Sequence, residues 1–408
     1  MRHFVSLVLL LCASAFAQLP QNFFTLSTAN TADMPKVPYG TLGHPGSLVW
    51  TAVETSRGFY NWKQIDGFVK KAPHDSNGVA QIDLTLGYTP GWAVANQSSC
   101  RKLANGLLAC TAPPDNLQDW TDFVSALISH YNGISAPHVA FYEIWNEANM
   151  LQFWSGTVSQ LATMGAAAYP ILKSDPYSQV LTPSVVWQAG NGLAFTQSYL
   201  SAAPADAVSF HAYTCKTNLK SSGGCAMPES AGSSNAPLQT MIQSFAQIAN
   251  SLPLFISEGG WGVHGVTDPD LQAAWAAHYL VLGASFAQSA NLTHLAWFEW
   301  GVPTMALSGN IEASSGQPNA AGIAYGVVQS WLNSNAISSC SVSGTIWSCA
   351  AGANLIVWDA SQSCSNGVCT TSPYLVTGFS SYQDIAGENL VVENGSVDLG
   401  IKPLLLEP

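Results

Sequence analysis

Two glutamates, Glu147 and Glu258, each follow a short run of strand-forming residues. Residues 141–147 read FYEIWNE and residues 254–261 read LFISEGGW, so each acid stands among aromatic and aliphatic side chains. Two carboxyl groups are the minimal machinery for splitting a glycosidic bond, because one protonates the leaving oxygen while the other attacks the sugar or activates water. The sequence therefore predicts that Glu147 and Glu258 form one sugar-cleaving pair.

The elements that must position this pair alternate between strand-like and helix-like patterns. The helical patterns are clearest at residues 117–131, 268–289 and 321–332. Eight strands, each followed by a helix, predict an α/β fold, the (β/α)8 TIM barrel, whose catalytic groups stand at the C-terminal ends of the strands. Glu147 and Glu258 would end strands four and seven. The predicted strands cover residues 23–27, 37–44, 81–87, 139–147, 179–186, 207–213, 252–258 and 292–300.

The chain divides into three predicted parts. Residues 1–17 have a basic start, a short apolar run and an Ala-x-Ala site, which is the pattern of a secretory signal peptide. Residues 18–335 carry the barrel pattern. Residues 336–408 are rich in Val, Thr, Ser and Gly with short strand-like runs, so we expect a small β-rich domain packed on the barrel. The protein is therefore expected to be secreted, extracellular or periplasmic, without a membrane span.

The cysteines support export into an oxidising compartment. Nine are present, and the eight beyond Cys12 fall into four pairs of near neighbours, each of which would fasten a loop. A zinc site is disfavoured because paired Cys-x-x-Cys motifs are absent from the sequence. The predicted disulfides are Cys100 with Cys110, Cys215 with Cys225, Cys340 with Cys349, and Cys364 with Cys369.

Composition excludes several classes of protein. The formal net charge is −12 with only 12 Lys and Arg residues, so a nucleic-acid partner is not expected, because such partners require a basic surface. A serine esterase or a zinc peptidase is disfavoured because the sequence contains neither Gly-x-Ser-x-Gly nor His-Glu-x-x-His. We expect no cofactor and no metal, and the sequence leaves the oligomeric state open.

Several motifs together resemble a known family. The segment 143–147 reads Glu-x-Trp-Asn-Glu and the segment 256–260 reads Ile-Ser-Glu-Gly-Gly. Trp50 and Glu54 precede a Gly-Phe-Tyr-Asn-Trp helix start at residues 58–62, and strand three runs into Thr-Pro-Gly-Trp-Ala at residues 89–93. These patterns are similar to those of the clan A (β/α)8 retaining glycoside hydrolases, and most nearly to glycoside hydrolase family 39, the β-xylosidase-like group. The resemblance covers about residues 23–332.

The resemblance also implies roles for individual residues. Glu147 would be the general acid/base and Glu258 the nucleophile, and Asn146 resembles the residue that binds the sugar 2-hydroxyl. His211 and Tyr213 resemble positions that hydrogen-bond the nucleophile or the sugar. An aromatic platform is expected at Trp300 or Trp297, with Trp300 preferred. Trp92 and Trp261, just beyond strand ends, would line further subsites.

One departure from the family pattern lies near the end of strand two. Relatives carry an arginine there that supports the nucleophile, whereas residues 40–45 read GTLGHP. Either His44 takes over the supporting role or the first subsite accepts a different sugar. Glu143 shares strand parity with Glu147 and should therefore point into the barrel as a buried orienting carboxylate.

The sequence thus predicts a secreted retaining glycoside hydrolase that acts on a polysaccharide or oligosaccharide, with a β-linkage favoured. Two alternatives stay open: a transglycosylase that uses the same residues with a different acceptor, and a non-catalytic carbohydrate-binding barrel. The second would keep the tryptophans but would have no use for two poised acids. The sugar, the linkage and the choice between chain-end and internal attack are not predicted.

Overall fold

The computed structural model describes residues 18–28, 34–44, 49–72, 81–131, 139–214, 225–230, 236–261, 266–301, 307–308 and 316–408. The predicted signal peptide and Cys215 lie outside these ranges. Within them, no helix combines the length and the apolar character that crossing a membrane requires.

Eight parallel strands form the central sheet in the order β5-β4-β3-β2-β1-β8-β7-β6. Parallel bridges from Leu181 to Ala207 and from Val186 to His211 join the β5 edge to the β6 edge, which brings the two ends of the sheet together as a barrel. The (β/α)8 prediction is confirmed. The strands are β1 (Phe24–Ser27), β2 (Thr41–His44), β3 (Gln81–Thr85), β4 (Val139–Glu143), β5 (Gln179–Leu181), β6 (Val208–Tyr213), β7 (Leu254–Gly260) and β8 (Leu292–Trp297).

The helices surround this sheet. Helix α3 follows its predicted bounds, because Trp120, Phe123 and Leu127 repeat at helical spacing and are completely buried. Helix α7 is buried along almost its whole length, so it carries no separate polar face. The helices are α1 (Val49–Val53), α2 (Lys63–Lys71), α3 (Leu117–Tyr131), α4 (Val158–Leu172), α5 (Gly192–Leu200), α6 (Leu238–Ile248), α7 (Pro269–Ala284) and α8 (Ala320–Ser334).

Two strand ends differ from the prediction in ways that matter for the site. Strand β4 ends at Glu143, so Glu147 lies in the following loop and has a left-handed backbone with φ of 44°. Strand β7 continues to Gly260, so Glu258 lies inside the strand rather than at its end. Beyond Glu143, the backbone N–H of Ser184, which follows β5, donates to the carbonyl of Trp145.

The remaining strands are antiparallel and short. A two-stranded hairpin and a three-stranded sheet follow barrel strands β2 and β3, and the C-terminal region forms a six-stranded sheet, one two-stranded hairpin and one further two-stranded pair. The C-terminal β region predicted from composition is thus present. The strands that follow β2 and β3 are Glu54–Ser56, Phe59–Tyr60, Thr89–Pro90, Cys100–Lys102 and Leu108–Cys110. The C-terminal strands are Ile337–Ser343, Ile346–Ala351, Asn354–Asp359, Cys364–Ser365, Val368–Cys369, Thr371–Leu375, Ser381–Asp384, Asn389–Val391, Ser396–Gly400 and Leu404–Glu407.

Three predicted disulfides are present, and each joins residues that face one another across an antiparallel strand pair. They are Cys100–Cys110, Cys340–Cys349 and Cys364–Cys369. Cys225 is also disulfide-bonded. Its expected partner, Cys215, lies outside the described residues, so that pairing stays a prediction.

Candidate active site

Glu147 and Glu258 converge on one imidazole. Nδ1 of His211 lies 3.0 Å from Oε1 of Glu147 and 3.3 Å from Oε2 of Glu258. One carboxylate oxygen from each glutamate and this ring nitrogen all lie within 4.8 Å of one another. The two glutamate side chains keep 13% and 16% of their surface exposed, while His211 is fully buried beneath them. Two acids far apart in the sequence therefore face the same space.

The backbone of Glu147 is held by Ser184, which follows β5. The Glu147 N–H donates to Oγ of Ser184 at 3.1 Å, and the Ser184 hydroxyl in turn donates to Oε1 of Glu143 at 2.8 Å. The backbone of Ser184 also accepts from Ala148. These bonds fix the left-handed turn that aims Glu147 at His211.

Glu143 has the inward orientation that strand parity predicts. It is completely buried and accepts hydroxyl hydrogen bonds from Thr85, Ser184 and Ser209. Burial raises the pKa of Glu143, although His211 and the serine hydroxyls counteract part of the increase. Glu143 therefore supports the loop that carries Glu147 and has no exposed surface for a substrate.

Tyr213, at the end of β6, binds the second acid. Its hydroxyl donates to Oε2 of Glu258 at 2.7 Å. Burial, followed by the charges of Glu258 and Glu147, raises the pKa of Tyr213 well above its usual value, so the phenol keeps its proton and acts as a donor. Because the bond stabilises the ionised form of Glu258, it favours a carboxylate that can act as a nucleophile.

The proton balance of the site is set by burial and by mutual charge. Burial raises the pKa of Glu258 to about 7. The charge of Glu147 also raises this pKa, whereas His211 and the hydrogen bond from Tyr213 lower it. Burial would lower the pKa of His211, but Glu258 and Glu147 outweigh it and raise the pKa to about 9. At neutral pH the cluster therefore contains a cationic imidazole and a Glu258 carboxyl group near the midpoint of its ionisation.

Two further acids near this cluster were missed in the sequence. Burial, and then the charge of Glu258, raises the pKa of Glu299 to about 7. Asp83, on β3, is buried, and burial followed by the charges of Glu143 and Glu258 raises its pKa well above the usual value. The available signals were an acid directly after β8 and an acid inside an otherwise apolar strand.

Two of the tryptophans expected to line the sugar site, Trp261 and Trp297, lie elsewhere. Trp261 and Trp297 are completely buried and pack against Trp275 and Tyr279 of α7. They lie on the helix side of the barrel, where a sugar cannot stack, so the prediction that they contact substrate is wrong. The reason is strand alternation, because residues 295 and 297 of β8 face outward while His294 contacts Phe141 inside.

Phe298 is the aromatic residue that sequence analysis overlooked. It continues the inward alternation of residues 294 and 296 and keeps part of its surface exposed. Its ring lies edge to face with Tyr213 at 6.5 Å between centroids, and Tyr213 is bonded to Glu258. Counting strand parity from His294 would have indicated this residue.

Four of the predicted substrate residues stay predictions. Asn146 is 8% exposed and directly precedes Glu147. Trp300 is completely buried. Trp92 is half-buried, donates its indole N–H to the carbonyl of Glu54 at 2.9 Å and packs under the Arg57 guanidinium, so its position is fixed by the hairpin that follows α1. His44 ends β2, and its side chain lies outside the described part of the structure.

Glu147, His211 and Glu258 are also close enough to serve as donors to a metal ion. Nδ1 of His211 already lies close to both carboxylates, so each carboxylate has a partner within the protein. Chemically, the site offers one carboxyl that can carry a proton, one carboxylate held by a phenol, and a cation between them.

Comparison with known proteins places this geometry in context. The sequence profile of glycosyl hydrolases family 39 matches residues 54–310. A β-xylosidase from Geobacillus stearothermophilus is 28% identical over 195 residues, which is 43% of this chain and 38% of that protein. The match therefore spans well under half the length of this relative.

Solved structures agree on the fold. A family 39 glycoside hydrolase from Bacteroides cellulosilyticus WH2 superposes with a TM-score of 0.68 at 16% identity, covering 95% of this chain and 81% of that one. A monomeric β-xylosidase from Caulobacter crescentus CB15 superposes with a TM-score of 0.56 at 14% identity, covering 96% and 97%. At these identities the likeness extends to the fold alone.

Proposed function

Because this chain belongs to glycosyl hydrolase family 39, we propose that it is a retaining glycosidase that works by double displacement. Glu147 is the general acid/base and Glu258 is the nucleophile. The observation that carries the proposal is the approach of a Glu147 oxygen and a Glu258 oxygen to within 4.8 Å across His211. Retaining enzymes hold their two carboxyl groups about 5–5.5 Å apart, whereas inverting enzymes need roughly 6.5–9.5 Å to admit a water molecule.

In the first step Glu147 gives its proton to the leaving oxygen while Glu258 forms a bond to the anomeric carbon. The hydrogen bond from Tyr213 keeps Glu258 ionised and oriented until the attack. The positive charge of His211 stabilises the Glu258 carboxylate before the attack and the Glu147 carboxylate after the proton transfer.

In the second step a water molecule takes the place of the departed sugar. Glu147, now ionised, removes a proton from that water, and the hydroxide attacks the anomeric carbon and releases Glu258. The left-handed turn held by Ser184 keeps Glu147 in place for both proton transfers, because the donor and the acceptor are the same side chain.

For the substrate we propose a β-linked sugar of an oligosaccharide or polysaccharide. The relatives named as β-xylosidases support this class. Phe298, beside Tyr213, would offer the apolar face on which the sugar ring rests. Asn146 would bind the sugar 2-hydroxyl, and Trp300 and His44 are retained as substrate-side candidates.

We also propose that the chain is exported and that the parts are residues 1–17, 18–335 and 336–408. The three disulfides support an oxidising location. No nucleic-acid partner is proposed, because the net charge is −12.

The test compares four variants on a panel of aryl β-glycosides and polysaccharides. Glu258→Gln should abolish turnover, and Glu147→Gln should lower it by roughly 10²–10⁴-fold, with a smaller loss on substrates whose leaving group needs no proton. Glu388→Gln, an exposed glutamate of the C-terminal region, is the matched control and should behave as wild type. Azide added to a Glu258→Ala variant should restore cleavage and give the inverted glycosyl azide.

Hydrolysis by Glu258→Gln at the wild-type rate would contradict the proposal. Sugar binding without turnover in the wild-type protein would instead support the carbohydrate-binding barrel. Transfer products that dominate at high sugar concentration would identify a transglycosylase that uses the same two acids.

A further inference from the structure

The connection between β6 and α6 is described over residues 225–230, and it is attached to the segment that leaves the nucleophile strand. The indole N–H of Trp275 donates to the carbonyl oxygen of Ala226 at 3.2 Å. Sγ of Cys225 lies 3.3 Å from the carbonyl oxygen of Trp261, which closely follows Glu258 in the sequence. The same connection begins after Tyr213, whose hydroxyl binds Glu258. Its start and its contact with Trp261 therefore lie beside the strands that carry Tyr213 and Glu258, while α7 holds Ala226.

Glu229, within this connection, is a buried anion with three close hydrogen-bond contacts. It is 7% exposed, and each of its carboxylate oxygens lies 3.0 Å from Nδ1 of His278. The indole N–H of Trp358 donates to Oε1 at 3.1 Å. A buried carboxylate with this set of donors is fixed in position, because losing any one of them leaves charge unsatisfied.

His278 contacts an acceptor with each of its ring nitrogens. Nδ1 faces the Glu229 carboxylate, and Nε2 lies 2.8 Å from the carbonyl oxygen of Ile401. These two contacts hold the ring from both sides. The ring is completely buried and packs against the indole of Trp358 at 4.5 Å.

These contacts join three separate parts of the chain. Glu229 belongs to the connection that precedes α6, His278 belongs to α7, and Trp358 and Ile401 belong to the C-terminal β region. A second ion pair between that region and α7, Lys402 with Asp270 at 2.9 Å, is about one third exposed and lies on α7. The buried cluster is therefore a polar link between the C-terminal region and the connection, and Met227 adds an apolar contact with Cys364 and Ile401.

We propose that the C-terminal β region braces the substrate cleft through Glu229, which His278 and Trp358 hold so that residues 225–230 stay in place beside the nucleophile strand. The inference rests on the proposed function, because the cleft in question is the one built around Glu147 and Glu258. Glu229 is a positioning residue: it keeps residues 225–230 in place, and their position in turn affects how tightly the sugar binds. The C-terminal region thus contributes to substrate binding without touching substrate.

The test uses full-length Glu229→Gln, which keeps the shape of the side chain and removes its charge. We expect KM to rise roughly tenfold while kcat stays within about twofold, because the acids themselves are not displaced. Amide exchange measured by mass spectrometry should become faster in peptides that cover residues 225–230. Asp270→Asn is the matched control: it breaks the other ion pair of the C-terminal region and should leave both KM and this exchange unchanged.

Trp358→Phe is a second, milder variant in case Glu229→Gln does not fold. It removes one hydrogen bond to Glu229 and should raise KM in the same direction by a smaller factor. A merely structural role for Glu229 predicts a lower melting temperature with an unchanged KM, and that result would overturn the proposal. An equal rise of KM in Asp270→Asn would overturn it as well, because general loosening would then explain both.

The two proposals fail in different ways. If wild type cleaves no glycoside, the proposed function fails, while amide exchange still shows whether Glu229 holds the connection. If wild type is active but neither KM nor exchange responds to Glu229→Gln, the brace fails alone.

Discussion

At the scale of single residues, the chemistry depends on where one proton resides. In the proposed mechanism the reactive form has that proton on Glu147 and a free carboxylate on Glu258, with the His211 cation between them. Burial raises the pKa of Glu258 to about 7, and the charge of Glu147 contributes to the rise. The ionisation of Glu258 should therefore control the rate near neutral pH.

A pH profile of kcat/KM should report this ionisation. Below about pH 7 Glu258 is protonated and cannot attack, so kcat/KM should fall tenfold per unit of pH on the acid side of the profile. His211 lowers the pKa of Glu258, and removing its charge in His211→Asn should therefore raise that pKa and move this acid limb to higher pH. His130→Asn, which alters a histidine paired with Asp66 on the barrel exterior, should leave the limb in place. A limb that stays fixed in His211→Asn would contradict the assignment.

At the scale of elements, β7 must approach α7 closely in order to hold Glu258. A Cβ at Gly259 would lie 1.9 Å from the hydroxyl oxygen of Tyr279, which is buried and donates to the carbonyl of Ala296 at 2.9 Å. Tyr279 is also stacked on Trp275, so it has little room to move. The residue next to the nucleophile is therefore glycine for reasons of space.

Gly259→Ala should cost about 2 kcal/mol of stability or more and lower kcat/KM at least tenfold, because β7 must shift together with Glu258. Urea unfolding and steady-state kinetics measure the two effects. Tyr279→Phe removes the clashing hydroxyl, so the double variant should be more stable than the sum of the single losses predicts. Strictly additive losses would show that the hydroxyl is not the obstacle.

The sequence predicted the elements better than it predicted the directions of their side chains. Helix α3 and the existence of all eight strands follow from apolar periodicity, and the pair Glu147 and Glu258 follows from two similar motifs. The end of β4 was placed too late, because the strand-forming residues Ile144 and Trp145 continue the apolar run past Glu143, where the strand pairing ends. Trp297 was assigned to the sugar site and Phe298 was missed, because a one-residue error in register moves a side chain to the other face of a strand.

At the scale of the whole molecule, the barrel and the C-terminal β region share a core. Cys364 and Ile401 pack on Ala274 of α7, and the buried pair of Glu229 and His278 needs groups from both parts. Removing either part would leave a buried charge unsatisfied, which is among the costliest changes that a folded protein can undergo.

We therefore expect one cooperative unfolding transition for the entire chain. Calorimetry at neutral pH should show a single peak, with equal calorimetric and van't Hoff enthalpies if unfolding is reversible. Near-ultraviolet circular dichroism should follow the same curve. Two separated peaks would mean that the C-terminal region is an independent domain on the barrel surface.

The left-handed backbone of Glu147 has an evolutionary consequence. A glutamate seldom adopts φ of 44°, whereas glycine and asparagine do so at little cost, so folding alone would select one of those residues at this position. Natural selection keeps the acid there against that preference only while turnover is useful. A homologue with glycine or asparagine at the corresponding position would gain stability but lose the acid that cleavage needs. We expect such a homologue to bind sugars without hydrolysing them.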